Sequence, residues 1–175
     1  MDSRVGIDSH CVSYIIDTVE VVAKPTDALS QEKIALFRTY LYMKDTLYVT
    51  PTVRTECDEI PDADRRATHR NFNNVIFGET FISDTKFVDE RTNQLLKYHN
   101  GSDDCRIVAE AEDYGLDVLL TYDYTFLRNM RNVQISIRLC RPSEFWSTLN
   151  ILPGAKPDKI PHPTNLLAKE SWWLV

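Results

Sequence analysis

Short apolar runs alternate along this chain with segments in which apolar side chains recur every three or four residues. The short runs predict buried strands, and the longer spacing predicts helices. We expect strands at Val5–Ile7, Leu47–Val49 and Val118–Leu120, with a brief extended piece at 81–82. Alternating Val133, Ile135, Ile137 and Leu139 predict a further strand, half covered, near a sheet edge. Strands that alternate with helices favour an α/β fold with a mainly parallel sheet.

Several predicted helices begin at residue types that cap helix N-termini. The expected caps are Ser30, Thr50 before Pro51, and either Ser102 or Asp103. A polar helix is expected from Asp62 to Phe77, with Gly78 as its stop. Asp8 therefore lies at the junction between a predicted strand and a predicted helix.

The last 25 residues differ in composition from the rest of the chain. Four of the eight prolines lie at 153–163, so residues 151–163 are expected to form an extended connector. We therefore divide the chain into a domain at 1–150 and an extension at 151–175. The extension ends in apolar residues that include Trp172 and Trp173, which should pack against the domain or a partner chain. Packing on the same chain is the favoured alternative.

The charge balance limits the classes of partner. With 20 basic and 26 acidic side chains, the chain has a formal charge of -6, so any nucleic-acid contact must be local. The apolar runs are far shorter than the ~20 residues of a membrane-spanning helix, and no apolar stretch resembles a signal peptide. We expect a soluble, cytoplasmic protein without a membrane contact.

Cysteine and glycine spacing excludes some kinds of site. The four cysteines are widely separated, which suits buried free thiols and gives no zinc-ligand spacing. The five glycines form no phosphate-binding loop, which disfavours nucleotide-binding folds of that type.

Four acidic residues occupy positions that are candidates for chemistry. Asp8 and Asp123 each follow an apolar strand, and the carboxyl ends of parallel strands form one rim where ligands bind. Glu56 and Asp104, on predicted helices, could converge on the same rim. Converging acids repel one another unless a cation lies between them, and oxygen ligands suit Mg²⁺ or Mn²⁺. The alternative is that each acid is a surface charge, and Asp104 could simply complement a helix dipole.

Four segments that contain these acids resemble motifs of the PIN-domain nuclease family, in that family's order. The segments are VGIDSH at 5–10, PTVRTE at 51–56, DCRIVAEA at 104–111 and LTYDYTF at 120–126. The resemblance covers about residues 4–149, including RPSEFW at 141–146 as the family's C-terminal end. It implies a PIN-like three-layer α/β/α sandwich with a short central sheet. It also implies that Asp8, Glu56, Asp104 and Asp123 are catalytic residues that bind one or two Mg²⁺ or Mn²⁺ ions and hydrolyse RNA phosphodiesters.

By the same analogy, Ser9 and Thr121 would orient the neighbouring acids, although helix capping and strand hydrogen bonding are alternative roles. Two positions depart from the family pattern. His10 stands where a small polar residue is common and could contact substrate or simply pack, and Thr125 replaces an acid that some members carry. A single metal ion therefore remains an alternative to two.

Substrate phosphates need cations, and the densest basic cluster on the sequence is Arg65, Arg66, His69 and Arg70. These residues would form one helix face that either contacts substrate or is solvated. Cys57 and Cys105 follow two of the acids directly, but one helical step turns a side chain by about 100°, so both are expected in the core.

The resemblance points to a ribonuclease that acts as the toxin of a toxin–antitoxin pair. Its partners would be RNA, an antitoxin that covers the acidic rim with a basic side chain, and a second copy in a homodimer. Two alternatives stay open: a catalytically inactive PIN-fold scaffold that uses Trp172 and Trp173 as its contact, and a phosphoryl-transfer enzyme with an aspartate nucleophile. The latter would want an acid where His10 stands.

Overall fold

A computed structural model describes residues 3–175, and within them five parallel strands form one sheet. The central strand β1 (Val5–Ile7) lies between β2 (Leu47–Val49) and β4 (Val118–Leu120). The edge strands are β3 (Gly78–Glu79) beside β2 and β5 (Arg138–Cys140) beside β4. The predicted α/β class with a parallel central sheet is confirmed, as a three-layer α/β/α sandwich.

Eight α-helices connect and follow these strands in residues 3–175. They are α1 (Ser9–Val21), α2 (Ser30–Tyr42), α3 (Pro51–Asp58), α4 (Ala63–Val75), α5 (Thr85–Leu95), α6 (Ser102–Tyr114), α7 (Tyr124–Met130) and α8 (Pro142–Thr148). Asp8, Thr50 and Asp62 accept a hydrogen bond from the third backbone amide beyond them, as N-caps do. Two predicted caps are wrong, because Leu29 and Gly101 precede α2 and α6 and place Ser30, Ser102 and Asp103 inside the helices.

Two strand predictions are corrected by the structure. The extended edge piece lies at Gly78–Glu79 rather than 81–82, so Gly78 belongs to a strand, and α4 ends earlier at Val75. Of the alternating stretch 133–139, only residues from Arg138 onward pair with β4. Ser136 instead donates from its backbone N–H and its hydroxyl to Glu112 Oε1, at 2.7 and 3.0 Å, which draws the chain away from the sheet.

The core lies on both faces of β1 and β4. Val5, Ile7 and Leu120 are completely buried, and Leu119 is nearly so, as expected for strands covered by helices on both sides. Burying an aliphatic side chain of this size contributes about 1.5–3 kcal/mol, so these two strands form a firm platform for the residues that follow them. All four cysteines are buried and free, as the spacing indicated.

The C-terminal extension packs on the same chain, which confirms the favoured prediction. Residues 151–163 contain no helix or strand, and a 3₁₀ turn follows at Leu166–Lys169. Leu167 and Trp173 are buried against Phe37 and Leu41 of α2. Arg38 then donates to three backbone carbonyls of the extension, those of Trp172, Trp173 and Leu174.

No helix among residues 3–175 has both the length and the apolar character needed to cross a membrane.

Candidate metal site at the carboxyl ends of the strands

Asp8 and Asp123 lie at the carboxyl ends of the neighbouring strands β1 and β4. Ile7 is in register with Leu120, and Asp8 N–H donates to the Leu120 carbonyl at 3.1 Å. Each acid also begins a helix: Asp8 Oδ1 accepts from Cys11 N–H at 2.7 Å and Asp123 Oδ1 accepts from Phe126 N–H at 2.8 Å. The backbone therefore fixes both carboxylates at one edge of the sheet.

Thr121 connects these two acids. Its side chain hydrogen-bonds the Asp8 carboxylate, and its Oγ1 accepts from the backbone N–H of Asp123 at 3.0 Å. Thr121 is buried, so little solvent competes for these bonds. The orienting role that the resemblance implies for Thr121 stays a prediction.

Asp104 meets Asp123 from the first turn of α6, together with a residue that the sequence did not single out. One ligand atom each from His99, Asp104 and Asp123 lies within 4.8 Å of the other two. His99 Nε2 and Asp104 Oδ2 are 3.0 Å apart, and Asn129 Nδ2 lies 3.2 Å from His99 Nδ1. With Asn129 Nδ2 as the donor to Nδ1, the hydrogen on Nε2 is the one donated to Asp104.

Glu56 reaches the same acids from α3. Burial raises the pKa of its carboxyl, and the negative charges of Asp103, Asp104 and Asp8 raise it further, while a hydrogen bond from the Ser9 side chain opposes them. Its Oε2 is buried and has no hydrogen-bond partner among the described residues. The charges of Asp104 and Asp8 therefore act on the Glu56 carboxyl, and the Ser9 side chain hydrogen-bonds it.

Asp8 experiences the strongest burial of the four acids. Burial raises the pKa of its carboxyl, and hydrogen bonds from Thr121 and Cys11 lower it only in part. In residues 3–175 no Lys or Arg forms an ion pair with Asp8, Glu56, Asp104 or Asp123. Asp104 and Asp123 meet without a Lys or Arg partner, whereas Asp8 and Glu56 lie outside the group that these two form with His99 and act through their charges. A cation would relieve the repulsion among the four carboxylates.

The donor set fits a divalent cation. Carboxylate oxygens suit Mg²⁺ and Mn²⁺, and the unpaired Glu56 Oε2 is an oxygen still lacking a partner. The His99 imidazole adds a nitrogen donor, which Mn²⁺ accepts more readily than Mg²⁺ does. In the structure, His99 forms a hydrogen bond with Asp104 instead.

His99 was missed because it lies in a loop and follows no helical or strand period. The signal that was present is Gly101, two residues later. Its backbone φ is an ordinary −74°, so no left-handed turn requires glycine there. A Cβ at this position would overlap the Asp104 carboxylate and lie 2.6 Å from His99 Nε2. The glycine therefore leaves room for the contact between these two side chains.

The basic cluster on α4 divides between core and surface. His69 is completely buried, with its ring nitrogens 3.0 Å from Ser13 Oγ and 2.8 Å from the Arg65 carbonyl, so it does not belong to a basic surface. Arg65 and Arg70 are exposed and form surface ion pairs with Asp17 and Asp58. Arg66 donates to the Ile60 carbonyl at 2.6 Å. The two exposed arginines agree with the solvated-face alternative.

The remaining sequence candidates divide between surface and core. His10 is exposed, and with Ser9, Ser13 and Glu56 it lines a pocket of about 140 Å³ beside the acids. Its role as a substrate contact stays a prediction. Cys57 and Cys105 are buried, which confirms that they belong to the core.

No protein-family model matches this chain, and no curated protein matches it. What the acidic edge does therefore has to be inferred from its own side chains.

Proposed function

We propose that this chain is a metal-dependent ribonuclease in which Asp8, Glu56, Asp104 and Asp123 hold one or two Mg²⁺ or Mn²⁺ ions. The observation that carries the proposal is that Asp104 and Asp123 meet at one end of a parallel sheet, with Asp8 and Glu56 near them, and that none of the four pairs with a Lys or Arg among residues 3–175. Such a cluster is costly for the chain alone and becomes favourable with a divalent cation.

The chemistry divides between the cation and the chain. A bound divalent cation would lower the pKa of a water ligand and polarise a phosphoryl oxygen. Asp8 and Asp123 are held in place by the strand ends and by their capping bonds, so they supply fixed carboxylate oxygens. Glu56 Oε2, which is buried and has no partner among the described residues, would supply a further carboxylate oxygen to the cation.

The choice of RNA as substrate rests on the resemblance of the four segments to PIN-domain nucleases. The same resemblance supports a toxin whose antitoxin would place a basic side chain against the acids, and a homodimer. The scaffold alternative has less support, since Trp173 is buried on its own chain and the Trp172 carbonyl is held by Arg38. Little tryptophan surface is therefore exposed for the proposed contact with a partner.

RNA cleavage by matched variants tests the proposal. Asp104→Asn and Asp103→Asn remove the same charge from the same helical turn, but only Asp104 contacts His99 and has an oxygen within 4.8 Å of one on Asp123. We expect cleavage of mixed RNAs in Mn²⁺ or Mg²⁺, its loss in chelator, and a fall of about 100-fold or more for Asp104→Asn. Asp103→Asn should remain within about threefold of wild type, because only a long-range charge is lost.

Asp8→Asn is a second inactive variant that should fold normally, since asparagine also caps helices. Equal cleavage by wild type, Asp8→Asn and Asp104→Asn would exclude the acidic edge as the source of activity. No cleavage of any RNA by a folded wild type that still binds Mn²⁺ would favour the scaffold alternative.

A further inference from the structure

A groove of about 690 Å³ lies between α7 and the segment that leads into β5. Its floor is apolar and includes Leu127, Ile135 and Leu139, all half-buried. It begins at Tyr124, which directly follows Asp123, and seven helical residues carry it about 10 Å from that acid. The groove therefore continues from the acidic edge.

The chain around this groove has the opposite charge to the rest of the molecule. Residues 124–143 contain four arginines and neither Asp nor Glu, although the whole chain has a charge of -6. Tyr124, Arg128 and Arg131 are spaced by four and three residues and so share one face of α7. Arg128 and Arg131 line the groove, are exposed, and form no ion pair with a residue in the described range 3–175. The other charged residues of the lining, Arg141 and Glu144, pair with each other. Two cations on this rim are therefore available to a ligand.

An aromatic ring stands at the end of the groove beside the acids. Tyr124 is 52% exposed, and the Arg141 guanidinium carbon lies 5.2 Å from the centre of its ring. Arg141 Nη1 also donates to the Tyr124 hydroxyl at 3.1 Å. Arg141 in turn pairs with Glu144 at 2.7 Å, so the ring is held in one orientation with a face toward solvent.

The far wall of the groove is fixed rather than loose. Glu112 is almost completely buried and accepts from Ser136, and Arg91 pairs with Glu112 at 2.6 Å while donating to the Gln134 carbonyl at 2.6 Å. These bonds hold the segment before β5 away from the sheet. The cavity is thus built into the fold, and little ordering is needed when it is filled.

We propose that this groove binds a single-stranded segment of nucleic acid that leads to or from the acidic edge. A base would stack on Tyr124 and the apolar floor, and phosphates would contact Arg128 and Arg131. Exposed arginines beside an aromatic face are the chemistry that binds single strands without sequence readout. The inference rests on the proposed function, since it assigns the path of the same substrate. The proposal places the phosphate contacts on α7 and not on α4, where the arginines bond to Asp17, Asp58 and the Ile60 carbonyl.

An acidic peptide with apolar side chains has similar complementarity to this groove. The nucleic acid is favoured because the exposed ring belongs to Tyr124, the residue after Asp123, whose carboxylate would help to hold the cation that binds a reacting phosphate. Binding of a peptide of alternating Glu and Leu therefore serves as a competing outcome.

The test is equilibrium binding of a fluorescent single-stranded RNA of about 12 nucleotides to the full chain, in chelator so that cleavage does not interfere. Arg128→Gln with Arg131→Gln should raise the dissociation constant about tenfold and lower the salt slope by about 1.4, the value for two phosphate contacts on a single strand. Arg65→Gln with Arg70→Gln changes the net charge equally and should leave both quantities near wild type. Tyr124→Ala should weaken binding about fivefold or more, while Tyr124→Phe keeps the stacking face.

Unchanged melting temperatures establish that the variants fold. Equal weakening by the two arginine pairs, no weakening by the α7 pair, or binding of the Glu-Leu peptide but not RNA would each overturn the groove assignment. RNA binding that depends on the α7 pair supports the assignment even where no metal-dependent cleavage is found, and in that case only the nuclease proposal fails. If RNA is cleaved but its binding does not depend on the α7 pair, the nuclease proposal stands and the groove assignment fails.

Discussion

At the scale of single residues, the acidic edge combines two kinds of carboxylate. Asp8 and Asp123 cap helices, and each cap bond occupies only one of about four lone-pair sites on a carboxylate, so the same side chain can still hold a cation. Glu56 and Asp104 extend from helices and have fewer fixed bonds. The capping acids therefore set the position of the site, and the helical acids complete it.

The raised pKa of Glu56 predicts a pH-dependent effect of Glu56→Gln on stability. A carboxyl whose pKa is higher in the folded state than its ordinary 4.5 stabilises the fold when protonated, and this contribution disappears as pH rises through the raised value. At neutral pH the charged Glu56 therefore weakens the metal-free fold. Glu56→Gln should raise the melting temperature by about 2 °C at pH 7, and the difference should vanish below pH 4.5. A variant that melts lower than wild type at pH 7 would contradict the assigned environment.

Gly101 predicts an effect on the site rather than on the backbone. In Gly101→Ala the new methyl group must displace Asp104 or His99, since φ is ordinary but the space is filled. We expect metal-dependent cleavage to fall by about tenfold or more, because a displacement of about 1 Å is costly in an active site. Gly154→Ala is the opposite control: its φ is +81° with nothing within 4 Å, so it should reduce stability slightly and leave cleavage unchanged. Equal cleavage by both variants would contradict the inference that Gly101 leaves room for the contact between Asp104 and His99.

At the scale of elements, sequence periodicity predicts those segments that the core fully determines. The buried strands β1, β2 and β4 are apolar throughout or nearly so, and their positions follow from that pattern. The two-residue strand β3 is too short and too polar to show a period. The alternation at 133–139 is genuine, but its apolar side chains line a groove because Glu112 holds Ser136 away from β4.

The same distinction explains which site residues could be found. Asp8 and Asp123 were predictable because they follow buried strands, and their approach follows from parallel pairing. The contact of His99 with Asp104 depends on the conformation of the loop before α6, which no local pattern encodes. The ion pairs of the α4 arginines could not be predicted for a similar reason, because Asp17 and Asp58, with which they pair, lie on other helices.

The C-terminal extension is an element that should contribute strongly to stability. Trp173 is 5% exposed, and its indole N–H donates to the Leu167 carbonyl at 3.1 Å. Trp173→Ala should cost about 3 kcal/mol, which corresponds to a melting temperature lower by about 6–12 °C. Leu174→Ala, at a side chain 43% exposed, should change it by less than about 2 °C. Circular dichroism measures both, and an unchanged melting temperature for Trp173→Ala would indicate that the extension does not pack on its own chain in solution.

At the scale of the whole molecule, opposite charges are segregated. Acids with no Lys or Arg partner among residues 3–175 meet at one edge of the sheet, and the only stretch of four arginines without an acid begins beside them at residue 124. A negatively charged protein can in this way hold a cation and a polyanion side by side. The overall charge of -6 keeps non-specific nucleic-acid binding weak.

Repulsion among the four acids predicts that divalent cations stabilise the whole fold. A ligand that binds only the folded state at 100 times its dissociation constant adds about 2.7 kcal/mol, so saturating Mn²⁺ should raise the melting temperature by about 5–11 °C. Asp8→Asn and Asp123→Asn keep their helix caps but lose a charged ligand, and the rise should shrink to less than about 2 °C in both. Asp103→Asn removes a charge nearby, and this variant should retain most of the Mn²⁺-induced rise in melting temperature. If Mn²⁺ stabilises all four proteins equally, the cation binds elsewhere on the acidic surface; if it leaves wild type unchanged, the four carboxylates form no metal site.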